Sequence, residues 1–325
     1  MTIEVLKPGL QTTVQDWPGR KGHYGAGFPP CGPIDSWSFR LANLLVGNEA
    51  GAAALECQFI GPTLRFRRRS VVAICGADMS PTLDGRPLER WRSYEAEEHQ
   101  VLTLSSAITG ARAYVAVSGG IDVPEFLGSR ATFLIGGVGG LDGAALKEGS
   151  VLPVGRGQPT ANVMAPAEIR PRLSTNKGWA IEVIAGPHDD WIDDAGHERF
   201  LGSEWHLTAK ANRTGFRLSG PPWTYTRLAL DKDPESGSDP SNIADFGYAV
   251  GGINVCGDTS IILMNDTISW GGFVIPYTVP VSAFPKLGQS RPGDRYDFET
   301  VSVEEAQRRS RAIDDFCRRE NLRPC

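Results

Sequence analysis

Short β-type segments separated by glycine and proline constrain the fold of this chain more than any other feature. The segments are rich in β-branched, aromatic or leucine residues, and turn-forming pairs such as Asp84-Gly85 and Gly220-Pro221 stand beside them. They do not alternate with helices of about ten to fifteen residues, which argues against a parallel α/β sheet. We therefore predict a mainly β protein built from barrels or sandwiches. The segments lie at 64–66, 70–74, 101–104, 113–117, 181–184, 261–263 and 296–298.

Two helices are predicted in addition to the strands. The first lies between Asp35, a favourable N-cap, and Gly47, a residue type that favours the position just after a helix end. Between them, leucines recur at helical spacing. The second helix is C-terminal and begins at a capping box formed by Ser302 and Glu305.

Residues 161–178 are predicted to link two domains. A length of 325 residues suggests about two domains. The stretch contains Pro166, Pro171 and Gly178 without clear periodicity, a composition typical of a linker. We predict an N-terminal β-barrel domain at 1–160 and a C-terminal β-barrel domain with a terminal helix at 179–325.

The composition excludes several classes of protein. A net charge of −5 with both signs interspersed does not predict a nucleic-acid partner. Neither a signal peptide nor an apolar run of membrane-spanning length is apparent, so no membrane association is expected. The six cysteines are scattered, with no Cys-x-x-Cys pair and no histidine at zinc-ligand spacing, which predicts no metal site. We expect a cytoplasmic protein with reduced thiols.

The segment 12–20 places an amide, a carboxylate and a guanidinium around a Pro-Gly turn. These groups belong to Gln15, Asp16 and Arg20. One interpretation is a surface ion pair between Asp16 and Arg20, which would contribute under about 1 kcal/mol. The other is that Arg20 presents its paired N–H donors to a carboxylate or a bicarbonate-derived group.

The loop 27–35 leads into the first predicted helix. A helix N-terminus can bind an anion through its free N–H groups, but Asp35 as N-cap would occupy some of them. Cys31 beside this helix start is a candidate nucleophile. A catalytic cysteine also needs a positioned histidine, which spacing alone does not identify.

Three segments of the second half have features typical of sites. His188 follows a Gly-Pro pair; the ordinary pKa of histidine, about 6.5, suits acid–base chemistry, and a surface histidine is the alternative. The polar loop 239–245 is either a solvated connection or a lid over a substrate. Gly271 and Gly272 permit close backbone approach beside Trp270, so that aromatic residues could form walls for a flat ring; the alternative is a strand with a β-bulge.

No nucleotide-binding or biotin-attachment sequence is present. The chain contains neither a Gly-x-x-x-x-Gly-Lys-Ser/Thr loop nor a dinucleotide fingerprint, and it contains no Met-Lys-Met sequence. Any ATP or biotin must therefore be supplied by a partner.

In their order along the chain, these segments resemble the biotin-dependent carboxyltransferase family named for allophanate hydrolase subunit 2. Each motif alone is weak, but the ordered set is specific and covers nearly the whole chain. The motifs include Thr13-Val14-Gln15-Asp16-x-Pro-Gly-Arg20, Pro30-x-Gly32-Pro33-x-Asp35, Leu127-Gly128-Ser129-Arg130 and Gly288-Gln289-x-Arg291-Pro292-Gly293-Asp294.

Within the family, the C-terminal half is similar to the urea carboxylase branch. Components of 5-oxoprolinase typically read Gln-Val-Pro and then Thr-Thr-Gly-Gly-Tyr-Pro in this half. Two departures from the urea enzymes are Trp270, where Leu is usual, and Cys31, where Ser is usual. The segments that resemble the urea carboxylase branch are Gly186-Pro187-His188, Asn212-Arg213-x-Gly215, Pro240-Ser241-Asn242-Ile243, Asn254-Val255-Cys256-Gly257-Asp258-Thr259 and Ser269-Trp270-Gly271-Gly272-Phe273.

The resemblance implies a fold of cyclophilin-like β-barrels and a carboxyltransferase component. It would move a carboxyl group from carboxybiotin, carried by a biotinylated carboxylase subunit, to a urea-like or amide nitrogen. A small companion carboxyltransferase subunit is a second implied partner, and ATP would act only through a partner. The implied catalytic residues are Asp16, Arg20, His188 and Asp258, and the implied substrate-binding residues are Gln15, Asn212, Arg213, Asn242, Gly271, Gly272 and Gln289.

Two alternatives remain open. One is a subunit of an ATP-dependent 5-oxoprolinase, which opens a lactam without biotin. The other is a regulatory subunit with no turnover of its own. The absence of a biotin-attachment sequence is compatible with all three functions, whereas the C-terminal motifs favour carboxyl transfer.

Overall fold

The protein is described over residues 2–325 by a computed structural model. Strands account for 34% of the residues and helices for 19%, so the prediction of a mainly β fold is confirmed. The chain forms two compact units. The first contains the stretch up to His23 together with Pro30–Leu173 and Ala312–Cys325, and the second contains Tyr24–Pro29 and Ser174–Arg311.

All seven predicted strand segments lie within or overlap strands, and three helices accompany the two that were predicted. The strands are β1 (Thr2–Lys7), β2 (Gln11–Gln15), β3 (Ala54–Gln58), β4 (Thr63–Phe66), β5 (Ser70–Asp78), β6 (Thr82–Leu83), β7 (Arg86–Pro87), β8 (Ser93–Ala96), β9 (Val101–Thr103), β10 (Thr109–Val117), β11 (Val151–Pro153), β12 (Val163–Met164), β13 (Gly178–Ala185), β14 (Trp205–Leu207), β15 (Gly215–Ser219), β16 (Asn242–Gly247), β17 (Gly252–Cys256), β18 (Thr259–Leu263), β19 (Trp270–Phe273), β20 (Tyr277–Thr278), β21 (Arg295–Thr300) and β22 (Arg323–Pro324). The helices are α1 (Ser36–Leu45), α2 (Asp194–Gly202), α3 (Arg227–Leu230), α4 (Phe284–Gln289) and α5 (Val303–Phe316).

The first unit is built on two sheets that share one apolar core. Their strand orders are β11-β1-β4-β9-β6-β7 and β2-β3-β10-β5-β8. Ile3 and Phe66 from the one sheet and Leu55, Ile74 and Val115 from the other belong to the same buried cluster. Because side chains alternate along a strand, each sheet contributes one apolar face to this core.

Helix α1 packs on the other face of the second of these sheets, and its N-cap is the predicted Asp35. One carboxylate oxygen of Asp35 accepts the backbone N–H of Ser38 at 2.9 Å. Phe39 on the helix makes an edge-to-face contact with Tyr114 on β10, with 5.8 Å between the ring centroids. Ala165 and Ile169, within the predicted linker 161–178, are buried in the same cluster as this helix. The predicted domain boundaries stay a prediction.

The second unit contains a closed seven-stranded barrel. Its strand order is β13-β20-β17-β18-β15-β14-β21, and β13 runs parallel to β21. Phe200 of α2 stacks on Tyr277 and on Phe298, both at 4.5 Å between centroids, so α2 is held to the barrel by aromatic packing.

A separate two-stranded ribbon in the second unit is formed by β16 and β19. Phe246 pairs with Gly271 and Gly247 with Trp270, and the register shifts between Asn242 and Phe246. The irregularity lies in the strand opposite the two glycines. The ribbon places the Gly271–Gly272 segment next to residues 242–248.

The C-terminal helix α5 begins as predicted. The N–H of Glu305 donates to Ser302 Oγ at 3.2 Å. In the second unit, Arg309 of this helix and Lys286 both bind the buried carboxylate of Glu182, the lysine at 2.6 Å. Hydrogen-bonded ion pairs of this kind satisfy a buried carboxylate.

Candidate functional site

Gln15 connects three segments of the first unit. Its side chain is fully buried, and its Nε2 donates to Thr13 Oγ1 at 3.0 Å and to the carbonyl of Thr132 at 3.4 Å. Its Oε1 accepts the N–H of Gly32 at 3.0 Å. The amide therefore holds the loop that precedes α1 against β2.

Arg20 and Asp16 both bind the segment that follows residue 125. The Arg20 guanidinium is 1% exposed and donates to the carbonyls of Phe126 at 3.2 Å and Ala131 at 2.9 Å. The Asp16 carboxylate accepts the hydroxyl of Ser129 and the N–H of Arg130, each at 2.6 Å. These contacts give both residues a structural task within the first unit, and their catalytic roles stay predictions.

Cys31 lies beside Arg20 in a strained conformation. Its φ is 56°, and its buried sulfur accepts an N–H from Arg20 Nη1 at 3.5 Å. The following Gly32 also has a positive φ, 79°, where an added Cβ would lie 3.0 Å from the carbonyl oxygen of Asp16. Cys31 thus belongs to the close packing of the two N-terminal motifs.

His188, in the second unit, is fixed by the backbone of Ile275. Its Nδ1 accepts the N–H of Ile275 at 3.2 Å, and its own backbone N–H donates to the carbonyl of Ile275 at 3.2 Å. Because Nδ1 is an acceptor, the hydrogen-bond pattern assigns the proton of the neutral ring to Nε2. Burial lowers the pKa of His188, and the charge of Asp190 opposes this shift. At neutral pH His188 is therefore an uncharged N–H donor.

Aromatic side chains surround the imidazole of His188. The ring centroid of Phe246 lies 4.8 Å from that of His188, and the ring centroid of Trp191 lies 6.1 Å from it. Phe246 is 38% exposed and Trp270, on the partner strand of the ribbon, is 57% exposed. Exposed aromatic residues beside a buried polar group are typical of small-molecule sites.

Tyr248 and Asn254 form a polar pair next to the same strands. The Tyr248 hydroxyl accepts the N–H of Phe273 at 2.9 Å and makes only a long contact, 3.5 Å, to the Phe273 carbonyl. Burial raises the pKa of Tyr248, while the nearby amide of Asn254 favours its anion. Asn254 is 4% exposed, and within residues 2–325 its Nδ2 has no hydrogen-bond partner of acceptable geometry. A buried amide donor in this state is available to a ligand carbonyl.

Gly271 packs directly on the ring of Tyr248. An added Cβ at this position would lie 2.3 Å from Cε2 and 2.4 Å from the hydroxyl oxygen of Tyr248. Only a glycine lets β19 approach the phenol ring this closely. The prediction that Gly271 permits close approach is in agreement with this contact, whereas Gly272 meets the Ile243 carbonyl at 3.1 Å.

Gly271→Ala is expected to lower the free energy of unfolding by about 1–3 kcal/mol, because the methyl group must displace the Tyr248 ring. Gly247→Ala, on the opposite strand, is the matched control, since nothing lies within 4 Å of its added Cβ. Its effect should stay within about 0.5 kcal/mol. Urea denaturation of both variants measures the difference, and equal effects would show that Tyr248 is not held by this contact.

Asn212 and Arg213 are engaged by neighbours in the second unit. Asn212 is half-buried, and its Oδ1 accepts the N–H groups of Thr214 at 2.9 Å and Gly215 at 3.1 Å, which stabilises a turn. Arg213 makes a bidentate pair with Asp266, with Nε–Oδ2 at 3.0 Å and Nη2–Oδ1 at 2.8 Å. The carboxylate expected opposite Arg213 is thus found within the protein.

Asn242, Asp258 and Gln289 occupy different environments. Asn242 begins β16, and its carbonyl accepts the Lys232 ammonium group at 2.6 Å. Asp258 is exposed in the turn between β17 and β18, and Gln289 is buried at the end of α4. No distance places these three side chains at the cluster of His188, Tyr248 and Asn254 within the described chain.

Sequence reasoning missed Tyr248 and used Asn254 only as part of a family motif. Tyr248 gives no local signal because its role depends on Gly271 and Phe273, more than twenty residues later. Asn254 lies between the buried Ile253 and Val255, so alternation along β17 places it on the opposite face of the strand. A polar residue between two buried aliphatic residues was the available signal.

Neither a metal centre nor a membrane span is found within residues 2–325. No group of three or more His, Cys, Asp or Glu side chains is arranged to hold a metal ion there. No helix in this part of the chain has the length and apolar character needed to cross a membrane.

A closed barrel carrying a polar donor cluster, joined in one chain to a two-sheet unit, defines the class of fold. The model of the family described as carboxyltransferase domain, subdomain A and B, matches residues 26–300. The chain belongs to this family. The segment with Gln15, Asp16 and Arg20 lies outside the matched residues.

Relatives with curated names are of two kinds. The chain is 39% identical over 317 residues to urea amidolyase of Lachancea kluyveri, which covers 94% of this chain and 17% of that protein. It is 33% identical over 305 residues to a 5-oxoprolinase subunit of Escherichia coli K12, which covers 94% of this chain and 93% of that protein. The chain thus spans less than a fifth of the first relative and nearly all of the second.

Among solved structures, the crystal structure of the Kluyveromyces lactis urea carboxylase is similar over the whole chain. The TM-score is 0.91 with 39% sequence identity, covering 100% of this chain and 30% of that one. The prediction of a carboxyltransferase of the urea carboxylase and 5-oxoprolinase type is confirmed at the level of the family.

Proposed function

We propose that the chain is a carboxyltransferase component that moves a carboxyl group from carboxybiotin to a urea-like or amide nitrogen. The observation that carries this proposal is the similarity of the entire chain to the Kluyveromyces lactis urea carboxylase. The identity to the urea amidolyase of Lachancea kluyveri, 39%, also exceeds the 33% identity to the Escherichia coli 5-oxoprolinase subunit.

The cluster in the second unit fits a ligand with a flat ring and a carbonyl oxygen. Carboxybiotin supplies an activated carboxyl group on a ring nitrogen of a flat ureido group. His188 Nε2–H and Asn254 Nδ2–H are donors of the kind that bind a carbonyl oxygen, and the exposed rings of Phe246 and Trp270 suit a flat group. These four residues and Tyr248 are the ones we assign to ligand binding.

Each donor of the cluster has a defined task in this proposal. His188 Nε2–H and the Asn254 amide stabilise negative charge on a carbonyl oxygen, an effect that is large where water is excluded. The Tyr248 hydroxyl can donate a third hydrogen bond, because its contact to the Phe273 carbonyl is long. His188 does not act as a base in this tautomer, because Nδ1 is occupied by Ile275 and Nε2 already carries a proton.

Two further elements come from outside this chain or from its exposed residues. Biotin and ATP are assigned to a biotinylated carboxylase partner, because no attachment or nucleotide-binding sequence occurs here. The small companion carboxyltransferase subunit is a second proposed partner. Asp258, exposed in the β17–β18 turn, stays the proposed carboxylate for the substrate nitrogen.

The test is purification of the tagged protein from its host, followed by an assay of the complex. A biotinylated carboxylase should co-purify in stoichiometric amount and be detected with streptavidin. Bicarbonate- and ATP-dependent turnover of urea or a simple amide should then be abolished by avidin. Turnover of 5-oxoproline that is insensitive to avidin would contradict carboxyl transfer.

The second candidate function is that of a 5-oxoprolinase subunit. It is favoured by one observation, which is that the 5-oxoprolinase subunit of Escherichia coli is matched over 93% of its own length. Under this proposal a lactam-opening partner and a small companion co-purify, and no biotin signal is found. A regulatory subunit would give neither turnover.

A further inference from the structure

A second histidine, His197 on α2, is fully engaged in hydrogen bonds. Its Nδ1 lies 2.7 Å from the Tyr277 hydroxyl, and its Nε2 lies 3.0 Å from the carbonyl oxygen of Asp189. A carbonyl oxygen only accepts, so Nε2 carries the proton and Nδ1 accepts the tyrosine O–H. The ring also contacts the Tyr277 ring edge-on at 5.5 Å.

Both hydrogen-bond partners of His197 lie next to the residues that fix His188. Asp189 follows His188 directly in the chain. Tyr277 lies two residues after Ile275, whose N–H and carbonyl both bond to His188. His197 therefore connects the 3₁₀ turn that follows His188 with the strand segment that holds the His188 ring.

We propose that His197 is a positioning residue for His188. By binding Asp189 and Tyr277 at once, it keeps the two segments at a fixed separation, so that His188 Nδ1 stays bonded to Ile275 and its proton stays on Nε2. The inference rests on the proposed function, in which the His188 Nε2–H is a donor in carboxyl transfer.

The surroundings of His197 are rigid enough for this task. Asp193 caps α2 by accepting the N–H of Gly196 at 2.7 Å and the hydroxyl of Thr224 at 2.5 Å, and its carbonyl accepts the N–H of His197 at 3.0 Å. Tyr277 is 4% exposed and is stacked on Phe200. His197 and its phenolic partner are thus both held in place by packing and by the helix cap.

The test uses the tautomer of His188 as its main observable. His197→Phe keeps an aromatic ring and removes both hydrogen bonds, whereas His197→Gln can supply one donor and one acceptor. Nitrogen-15 NMR of the full-length protein should show a pure Nε2–H form of His188 in the wild type. His197→Phe should show a mixture of the two tautomers, and His197→Gln should shift it back toward the wild-type form.

Kinetics of the complex with its carboxylase partner provide the second observable. His197→Phe should lower kcat by up to about 10²-fold, as expected when a reacting group is misplaced, and should leave KM within about twofold. Tyr277→Phe, which removes only the hydroxyl, should give the same tautomer change and keeps the measurement possible if His197→Phe does not fold. His206→Gln, on an exposed histidine of β14, is the control and should change neither observable.

The outcomes separate the inference from the proposed function. A His188 tautomer that is unchanged in both His197→Phe and Tyr277→Phe would overturn the inference, whatever the activity. A changed tautomer in a protein whose wild type shows no carboxyl transfer would support the positioning of His188 and contradict the proposed function.

Discussion

His188→Asn is expected to lower kcat for carboxyl transfer by about 10²–10³-fold while the protein stays folded. The asparagine Oδ1 can take the place of Nδ1 as acceptor for the Ile275 N–H, so the local structure keeps its hydrogen bond. The variant has no group at the position of Nε2–H. Removing one donor that stabilises charge on a carbonyl oxygen costs about this much in other enzymes.

His188→Gln distinguishes the two tasks that a histidine can have here. Its terminal amide N–H can reach the place of Nε2–H, but an amide cannot transfer a proton at neutral pH. If His188 acts only as a donor, His188→Gln should retain much more activity than His188→Asn. If the histidine transfers a proton, both variants should be equally inactive, and the donor role would be wrong.

The measurement is steady-state turnover of urea with the biotinylated partner present, together with thermal unfolding of each variant. His206→Asn, an exposed histidine of the same barrel, is the control for changes that are not specific to the site. Wild-type activity in His188→Asn at unchanged stability would remove His188 from the proposed mechanism.

The strands were predictable because their signals are local. β-branched and aromatic segments bounded by turn residues form strands wherever they lie in this chain. α1 and α5 were found for the same reason, since Asp35 and Ser302 cap them from adjacent positions. α2 was missed because it contains Gly196 and Gly202, and its stability depends on Phe200 packing against the barrel.

The site could be predicted only in part, because partners distant in the sequence decide what each polar group does. Arg20 looked available for a ligand, but its acceptors lie at Phe126 and Ala131, more than a hundred residues later. His188 was singled out as a candidate from its sequence, yet its tautomer depends on Ile275. Spacing along the chain does not reveal such pairs, which tertiary packing creates.

Asp266→Asn is expected to lower the free energy of unfolding by about 3–5 kcal/mol. Arg213 and Asp266 are 4% and 3% exposed, and they are joined by two hydrogen bonds of 3.0 and 2.8 Å. The substitution keeps the size of the side chain but removes the negative charge that the buried guanidinium binds. The cost is large because a charge held away from water then loses its compensating charge.

An exposed ion pair of the same unit is the matched control. Arg295 and Glu204 lie 2.9 Å apart with side chains 42% and 58% exposed, so Glu204→Gln should cost no more than about 1 kcal/mol. Both variants are measured by urea denaturation at neutral pH. Similar small losses in the two would show that water reaches the Arg213–Asp266 pair.

The double variant Arg213→Met with Asp266→Leu separates stability from function at this position. Replacing a buried ion pair by apolar residues of similar size is often neutral, so this variant should recover most of the stability lost in Asp266→Asn. If Arg213 only supports the fold, the double variant should also retain carboxyl transfer. If Arg213 binds the transferring carboxylate, as the family motif implies, the double variant should be stable and inactive, because the guanidinium that recognises the carboxylate is gone.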